Sequence, residues 1–249
     1  MGYLILAIRF LTIVPVPGRE ATGAGALGRA AWWFPAVGAA LGACLVAADH
    51  LLAILFPPLL GSILLIALWK VLTGGIHLDG LADVLDGLAG RDAERRLAIM
   101  RDSRIGVFGA AGLGLSLLIS AGALDAIPAG RHGELLLLAP AAGRLAPLVI
   151  GPLFPAASPG QGAGAAFLLG LSPWAAPVSV AGLWLLAAWL LGPWGGLLLS
   201  FVLASVLLWA VFVASRLGGL NGDTLGSSIE VGEMTALVAS AALIHLRVL

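Results

Sequence analysis

Asp79, Asp83 and Asp86 stand at i, i+4 and i+7 in the run GGIHLDGLADVLDGLAGRDAERRLAIMRDSRIGVF, residues 74–108. On a helix of 3.6 residues per turn these three carboxylates fall within an arc of roughly 60° on one face. Like charges so close destabilise a helix, so a cation is expected among them, and a hard divalent ion with oxygen ligands fits best. Gly80 and Gly87 leave that face uncrowded for a bulky ligand. A solvated acidic helix face is the plain alternative. Five arginines follow, Arg91, Arg95, Arg96, Arg101 and Arg104. Guanidinium groups fork onto phosphate oxygens, and beside a divalent metal they are the equipment of phosphoryl and nucleotidyl transfer. The same arginines also serve as a topology signal.

The elements that position these groups are read from composition. Of 249 residues 60% are hydrophobic and 10% charged, and mean hydropathy is +1.07, which excludes an ordinary soluble domain and predicts a polytopic membrane protein. From Lys70 to Arg104 the chain gathers 12 of its 26 charged residues. Net charge is zero, so no bulk basic field points to nucleic acid. The lone Cys44 excludes a disulfide framework or a cysteine metal site and reads as a small core residue. Residues 1–17 read as an interfacial or tucked-in helix, not as a cleaved signal peptide.

Seven segments approach the ~20 apolar residues a span needs, at about 31–55, 59–73, 106–124, 135–154, 174–191, 195–214 and 234–249. The predicted class is all-α, a polytopic helical bundle of about seven transmembrane helices plus a cytoplasmic helical active-site segment, in one domain over 1–249. Residues 151–173 read as an ordered or mobile loop. Alternation from a cytoplasmic 75–105 segment puts Arg19, Arg29, Arg91, Arg95, Arg96, Arg101, Arg104 and Arg216 on one side, against Arg131 and Arg247. The positive-inside rule then makes the first side cytoplasmic. The polar segment LGGLNGDTLGSSIEVGEM joins the aspartates there, and the expected location is the inner (cytoplasmic) membrane, multi-pass, with the site facing the cytoplasm.

Ionisable groups inside spans cost on the order of 3 kcal/mol each and suggest function. Arg144 lies in LAPAAGRLAPLVIGP, where prolines and glycines are expected to break the helix; it could bind substrate phosphate or pair with a carboxylate. Lys70 could contact phosphate or snorkel to the surface. Asp49 and His50 read as interfacial. On a helix through Asp79, His77 points roughly 160° away from that carboxylate, so ligation beside it requires the helix to start after His77. Most of the eight tryptophans read as an interfacial belt.

One family resemblance runs through these motifs. Gly75, His77, Asp79, Gly80, Leu81, Ala82, Asp83, Asp86 and Gly87, then Met100 to Gly106 with Phe108, resemble the cobalamin synthase (adenosylcobinamide-GDP ribazoletransferase) family. FLTIVPVPG with FPAVGAALG near the start, and LGGLNGDTLG with a following glutamate near the end, agree. The resemblance implies an integral membrane enzyme that uses Mg²⁺ to join a GDP-activated corrinoid, adenosylcobinamide-GDP, to α-ribazole or its 5′-phosphate, releasing GMP. The expected metal ligands are Asp79, Asp83, Asp86, Asp223 and Glu230. Asp79, Asp83 and His77 are the expected catalytic residues, and Lys70, Arg101, Arg104, Arg144 and Asp223 are expected to bind substrate. The bilayer is the expected partner, nucleic acid is not, and a homo-oligomer stays open.

Two other classes are weighed beside it. A CDP-alcohol phosphotransferase pattern opens with matches at Asp83, Asp86, Gly87 and Arg91, but has Gly90 in place of alanine and Met100 where glycine is wanted, and its later aspartates are absent. A transporter would concentrate charge at the midplane, whereas here, Arg144 apart, charge gathers at one surface.

Overall fold

Glycine and proline punctuate this chain where its helices end, and the computed structural model, which describes residues 1–157 and 162–248, follows that punctuation. The elements are α1 (Gly2–Leu11), α2 (Ala26–Ala30), α3 (Phe34–Leu55), α4 (Pro58–Leu72), α5 (Ile76–Gly87), α6 (Ala93–Met100), α7 (Val107–Asp125), α8 (Ala129–Ile150), α9 (Gly162–Gly170), α10 (Ala175–Leu191), α11 (Pro193–Leu217) and α12 (Gly222–His245). Among the described residues the only β feature is an isolated bridge between Ala156 and Leu220. The protein is all-α.

The segment Ala26–Leu55, α7, α8, α11 and α12 are long and apolar enough to cross a membrane. Two bent pairs, α4 with α5 at 92° and α9 with α10 at 90°, raise the number of candidate spans to seven. The second expected span therefore does not run straight into the aspartate helix. Thr73, Gly74 and Gly75 stop it: Gly75 N–H donates to Lys70 O at 3.0 Å and Gly74 N–H to Val71 O at 2.9 Å. That is a Schellman closure, and it needs the left-handed backbone that Gly74 (φ 65°) and Gly75 (φ 68°) adopt. We read α5, turned across the end of α4, as lying outside the membrane-spanning segments.

Three further boundaries differ from expectation. The final helix starts at Gly222 and not near 234, because Asn221 and Thr224 form a reciprocal cap there. Part of the 151–173 loop is helical, as α9; Ser158 to Gln161 lie outside the described residues. Most informative is α8, which continues unbroken through Pro140 and Pro147. Buried on nearly all sides, it is held by packing that outweighs the lost ladder bonds. Gly38 and Gly42 of α3 lie so close that a Cβ on Gly38 would sit 2.7 Å from the Ala141 Cα, and one on Gly42 2.8 Å from the Leu137 Cα. Small residues at this spacing let helix backbones touch within lipid, where close packing replaces a hydrophobic driving force.

The main core cluster runs from Ala7 and Leu11 of α1 through α3, α4, α8, α10, α11 and α12, and a smaller one joins Val84, Met100, Val213 and Leu217 of α5, α6 and α11. Helix α1 is tucked in, with Ala7 and Leu11 fully buried. Cys44, expected in the core, is exposed on the outer side of α3. Trp69 is fully buried, whereas Trp174 and Trp189 are well exposed. At the far end of the bundle, His132 Nδ1 lies 3.0 Å from both Asp49 oxygens and its Nε2 lies 2.9 Å from Ile127 O, tying α8 to α3.

Candidate active site

Helix α5 is amphipathic, and its two faces part company at the site. Asp79 is exposed and Asp83 half-buried, while His77, Gly80 and Val84 are buried. The buried face lies on the first turns of α12, close enough that a Cβ on Gly80 would come within 2.9 Å of Asp223 O. The central acidic run and the later GDT segment, 144 residues apart counted from Asp79 to Asp223, therefore meet. Burial, and after it the charges of Asp79, Asp223 and Asp86, push the Asp83 carboxyl up to about 6. Asp223 also accepts from Asn221 Nδ2 at 3.1 Å.

Asp86 is on the same face but has another engagement. One of its oxygens accepts from Gly106 N–H at 2.7 Å and the other from Gly109 N–H at 2.8 Å, so the carboxylate caps the start of α7. Glycine is required at both positions, since a Cβ at either would run into this carboxylate. The sequence stretch RIGVFG is thus tied to the aspartate helix by its backbone.

Glu230 stands two turns along α12 from Asp223 and meets a different partner. Lys70 Nζ donates to Glu230 Oε2 at 2.6 Å and to Glu233 Oε2 at 2.7 Å. Arg144 donates through Nη1 to Glu233 Oε1 and, at 3.2 Å, to Pro140 O. Two cations and two anions from α4, α8 and α12 thereby form a buried neutral quartet, in which Arg144 has no exposed surface. Lys70 neither snorkels nor lies free for phosphate; its ammonium also sits 5.0 Å over the Trp69 ring. Arg144 takes the carboxylate partner that was one of its two expected readings. With the last span expected to begin near 234, both glutamates fell outside the expected spans, and the sequence held no signal for this pairing.

His77 is in the first turn of α5, so the helix does not start after it, and it points inward, away from Asp79. Both its ring nitrogens are buried without a hydrogen-bond partner among the described residues. It lines a cavity of about 260 Å³ between α1, α3, α5, α8, α9 and α12, and Asp223 lies on the same wall. Arg101 and Arg104 stay at the surface. Arg104 forks onto Asp102, Nη2 to Oδ2 at 2.6 Å and Nε to Oδ1 at 3.0 Å, with its side chain 86% exposed. That pairing holds Asp102 down at about 2. Arg96 reaches across to Arg216 O at 2.8 Å and joins α6 to α11.

Among the described residues no three histidine, cysteine or acidic side chains converge as a ready-made metal cage. The donor chemistry nevertheless fits Mg²⁺, which usually takes one or two carboxylates and fills its octahedron with water and substrate phosphates. Among the described residues Asp79, Asp83 and Asp223 crowd together without a neighbouring cation, and the raised Asp83 carboxyl is the electrostatic sign of it.

Comparison with known proteins points to one family. A family model described as cobalamin-5-phosphate synthase matches residues 3–241. Proteins named adenosylcobinamide-GDP ribazoletransferase resemble the chain along nearly its whole length. The one from Brevibacillus brevis is 37% identical, covering 96% of this chain and 97% of its own. That of Roseiflexus sp. is 40% identical over 93% of this chain and 86% of its own, and that of Pseudomonas paraeruginosa 39% over 96% and 97%. No solved structure matches.

Proposed function

Since the chain belongs to the cobalamin-5-phosphate synthase family, we propose that it is an adenosylcobinamide-GDP ribazoletransferase, which joins a GDP-activated corrinoid to α-ribazole or α-ribazole 5′-phosphate and releases GMP. The observation that carries the reading is the approach of Asp79 and Asp83 to Asp223, which itself lines a cavity. In the reaction, a ribose hydroxyl oxygen forms a bond to the phosphorus that bears the corrinoid. The bond from that phosphorus to GMP breaks, GMP leaves as a phosphate, and the hydroxyl proton passes to a base. Such a transfer needs alignment and charge neutralisation more than covalent help.

Asp79, Asp83 and Asp223 would hold Mg²⁺ against the pyrophosphate, where it supplies neutralisation of the developing phosphate charge. In the metal-free site burial and the neighbouring carboxylates hold Asp83 up at about 6, and this crowding favours a divalent cation among the three acids. Asp86 holds the α5–α7 joint, so that RDSRIG stays beside the acids. From that loop Arg101 and Arg104 reach solvent and are available to a large donor once Arg104 exchanges Asp102 for phosphate. The eight-to-two distribution of basic residues supports a cytoplasmic site in the inner membrane.

Purified protein in detergent, given adenosylcobinamide-GDP and α-ribazole, should release GMP in step with corrinoid product and stop when EDTA is added. Equal turnover of a CDP-activated alcohol, or turnover that survives chelation, would overturn the proposal.

A further inference from the structure

The cavity behind Asp223 has a composition that the chemistry of the acids does not explain. Phe10 and Phe34 stack with ring centroids 5.9 Å apart and planes 16° from parallel, and Phe167 continues the wall 5.9 Å from Phe34. Leu225 and Ile229 close the opposite side. Into this apolar space come His77, whose two ring nitrogens have no partner among the described residues, and the Asp223 end of the acidic cluster. An unpaired buried polar group costs free energy that an apolar side chain would avoid. An imidazole kept there is therefore placed for a ligand that supplies the missing hydrogen bond. A volume of about 260 Å³ lies just below the ~300 Å³ at which drug-sized sites begin, so it holds one ring system and not a nucleotide or a corrin.

We propose that this cavity is the subsite for the accepting nucleoside's flat heteroaromatic base, which inserts along the Phe10–Phe34–Phe167 wall with a ring nitrogen toward His77 while its ribose stays at the acids. This rests on the transferase reading only for the identity of the acceptor. His77 is on this account a specificity-determining contact to the base, and Asp223 the hinge between the base subsite and the reacting end. An acyl chain would fill the same space but offers nothing to His77.

The test uses Gly226, which lines the cavity and where an added Cβ meets nothing nearer than 3.7 Å. Gly226→Leu fills the space and, in a helix, does not threaten folding. α-Ribazole binding to the full-length protein in detergent is measured by calorimetry without donor or Mg²⁺, with ribose 5-phosphate as the probe lacking a base. Wild type should bind α-ribazole and not ribose 5-phosphate; Gly226→Leu and His77→Leu should each weaken binding at least tenfold, with His77→Gln recovering part. In turnover, the KM for α-ribazole should rise by the same factor while that for adenosylcobinamide-GDP stays within twofold. Undiminished α-ribazole binding in Gly226→Leu, or a tightly held lipid in the wild-type cavity that α-ribazole does not displace, overturns the subsite. Absent GMP release with intact base binding would overturn the transferase reading and leave the subsite standing.

Discussion

Removing one member of the buried quartet should be far more damaging than removing a matched pair. Glu233→Gln keeps the shape of the side chain but removes its charge and turns one of its two accepting oxygens, which meet Arg144 Nη1 and Lys70 Nζ, into an amide that can only donate. Arg144 is wholly buried, and its Nε and Nη2 have no partner among the described residues, so it is cut off from bulk solvent. Breaking a buried pair from one side costs about 3–5 kcal/mol. At roughly 2–4 °C per kcal/mol for a chain of this size, the melting temperature in a fixed detergent should fall by about 6–20 °C. Arg144→Met alone should fall comparably, since it leaves the carboxylate without its cation. The double variant Glu233→Gln with Arg144→Met leaves Lys70 and Glu230 to neutralise each other, and buried pairs replaced by apolar groups are often neutral or better. The double should therefore lie at least ~2 kcal/mol above the sum of the singles. Additive losses, with the double as unstable as both singles together, would refute the neutral-quartet account.

Other outcomes follow from the site. The folded protein retains the Asp83 proton between pH 3.8 and about 6, where the unfolded chain has released it, so stability falls as pH rises through that window. Screened by its partial exposure, the effect is about 1 kcal/mol, and Asp83→Asn should raise the metal-free melting temperature at pH 7 by about 2–4 °C while abolishing GMP release; an unchanged melt would remove the charge-crowding argument. Asp79→Asn and Asp223→Asn should each weaken Mg²⁺ activation at least tenfold, read from the metal concentration for half-maximal turnover, and normal activation in both would dismiss them as ligands. Cysteines at Ser103 and Ser215, both exposed, introduced with Cys44→Ala, should react with an impermeant maleimide only after cell lysis. Labelling of either in intact cells would reverse the proposed orientation.

The acidic run was legible because a helix turns its spacing into one face, and its meeting with the GDT segment was legible because spans alternate sides. Burial partners were not. Nothing in the spacing says that both Asp86 oxygens cap α7, since that depends on where a separate helix begins. Pro140 and Pro147 predict a broken α8 by local rules, and only the close fit of Gly38 and Gly42 against the same helix shows why it stays whole. His77 pointed away from Asp79 by helical phase alone, as the structure has it; the cavity it faces needed α1, α3 and α9, which no motif joins to it. Asn221 and Thr224 were a readable cap, and α12 begins well before 234 because of them.

The quartet also imposes an order of events during synthesis. Lys70 precedes its partner Glu230 by 160 residues and Arg144 precedes Glu233 by 89. At about 5–20 residues per second, Lys70 waits on the order of 8–32 seconds for a counter-ion to be made. Arg144, made later, waits about 4–18 seconds at the same rate; α4 can shelter its cation at the membrane surface because Lys70 is near its end, whereas α8 holds Arg144 well inside the helix. A helix made after both α4 and α8 is thus the one that locks them in, and a nascent chain stalled before α12 presents two unneutralised charges by which an unfinished bundle can be told from a finished one.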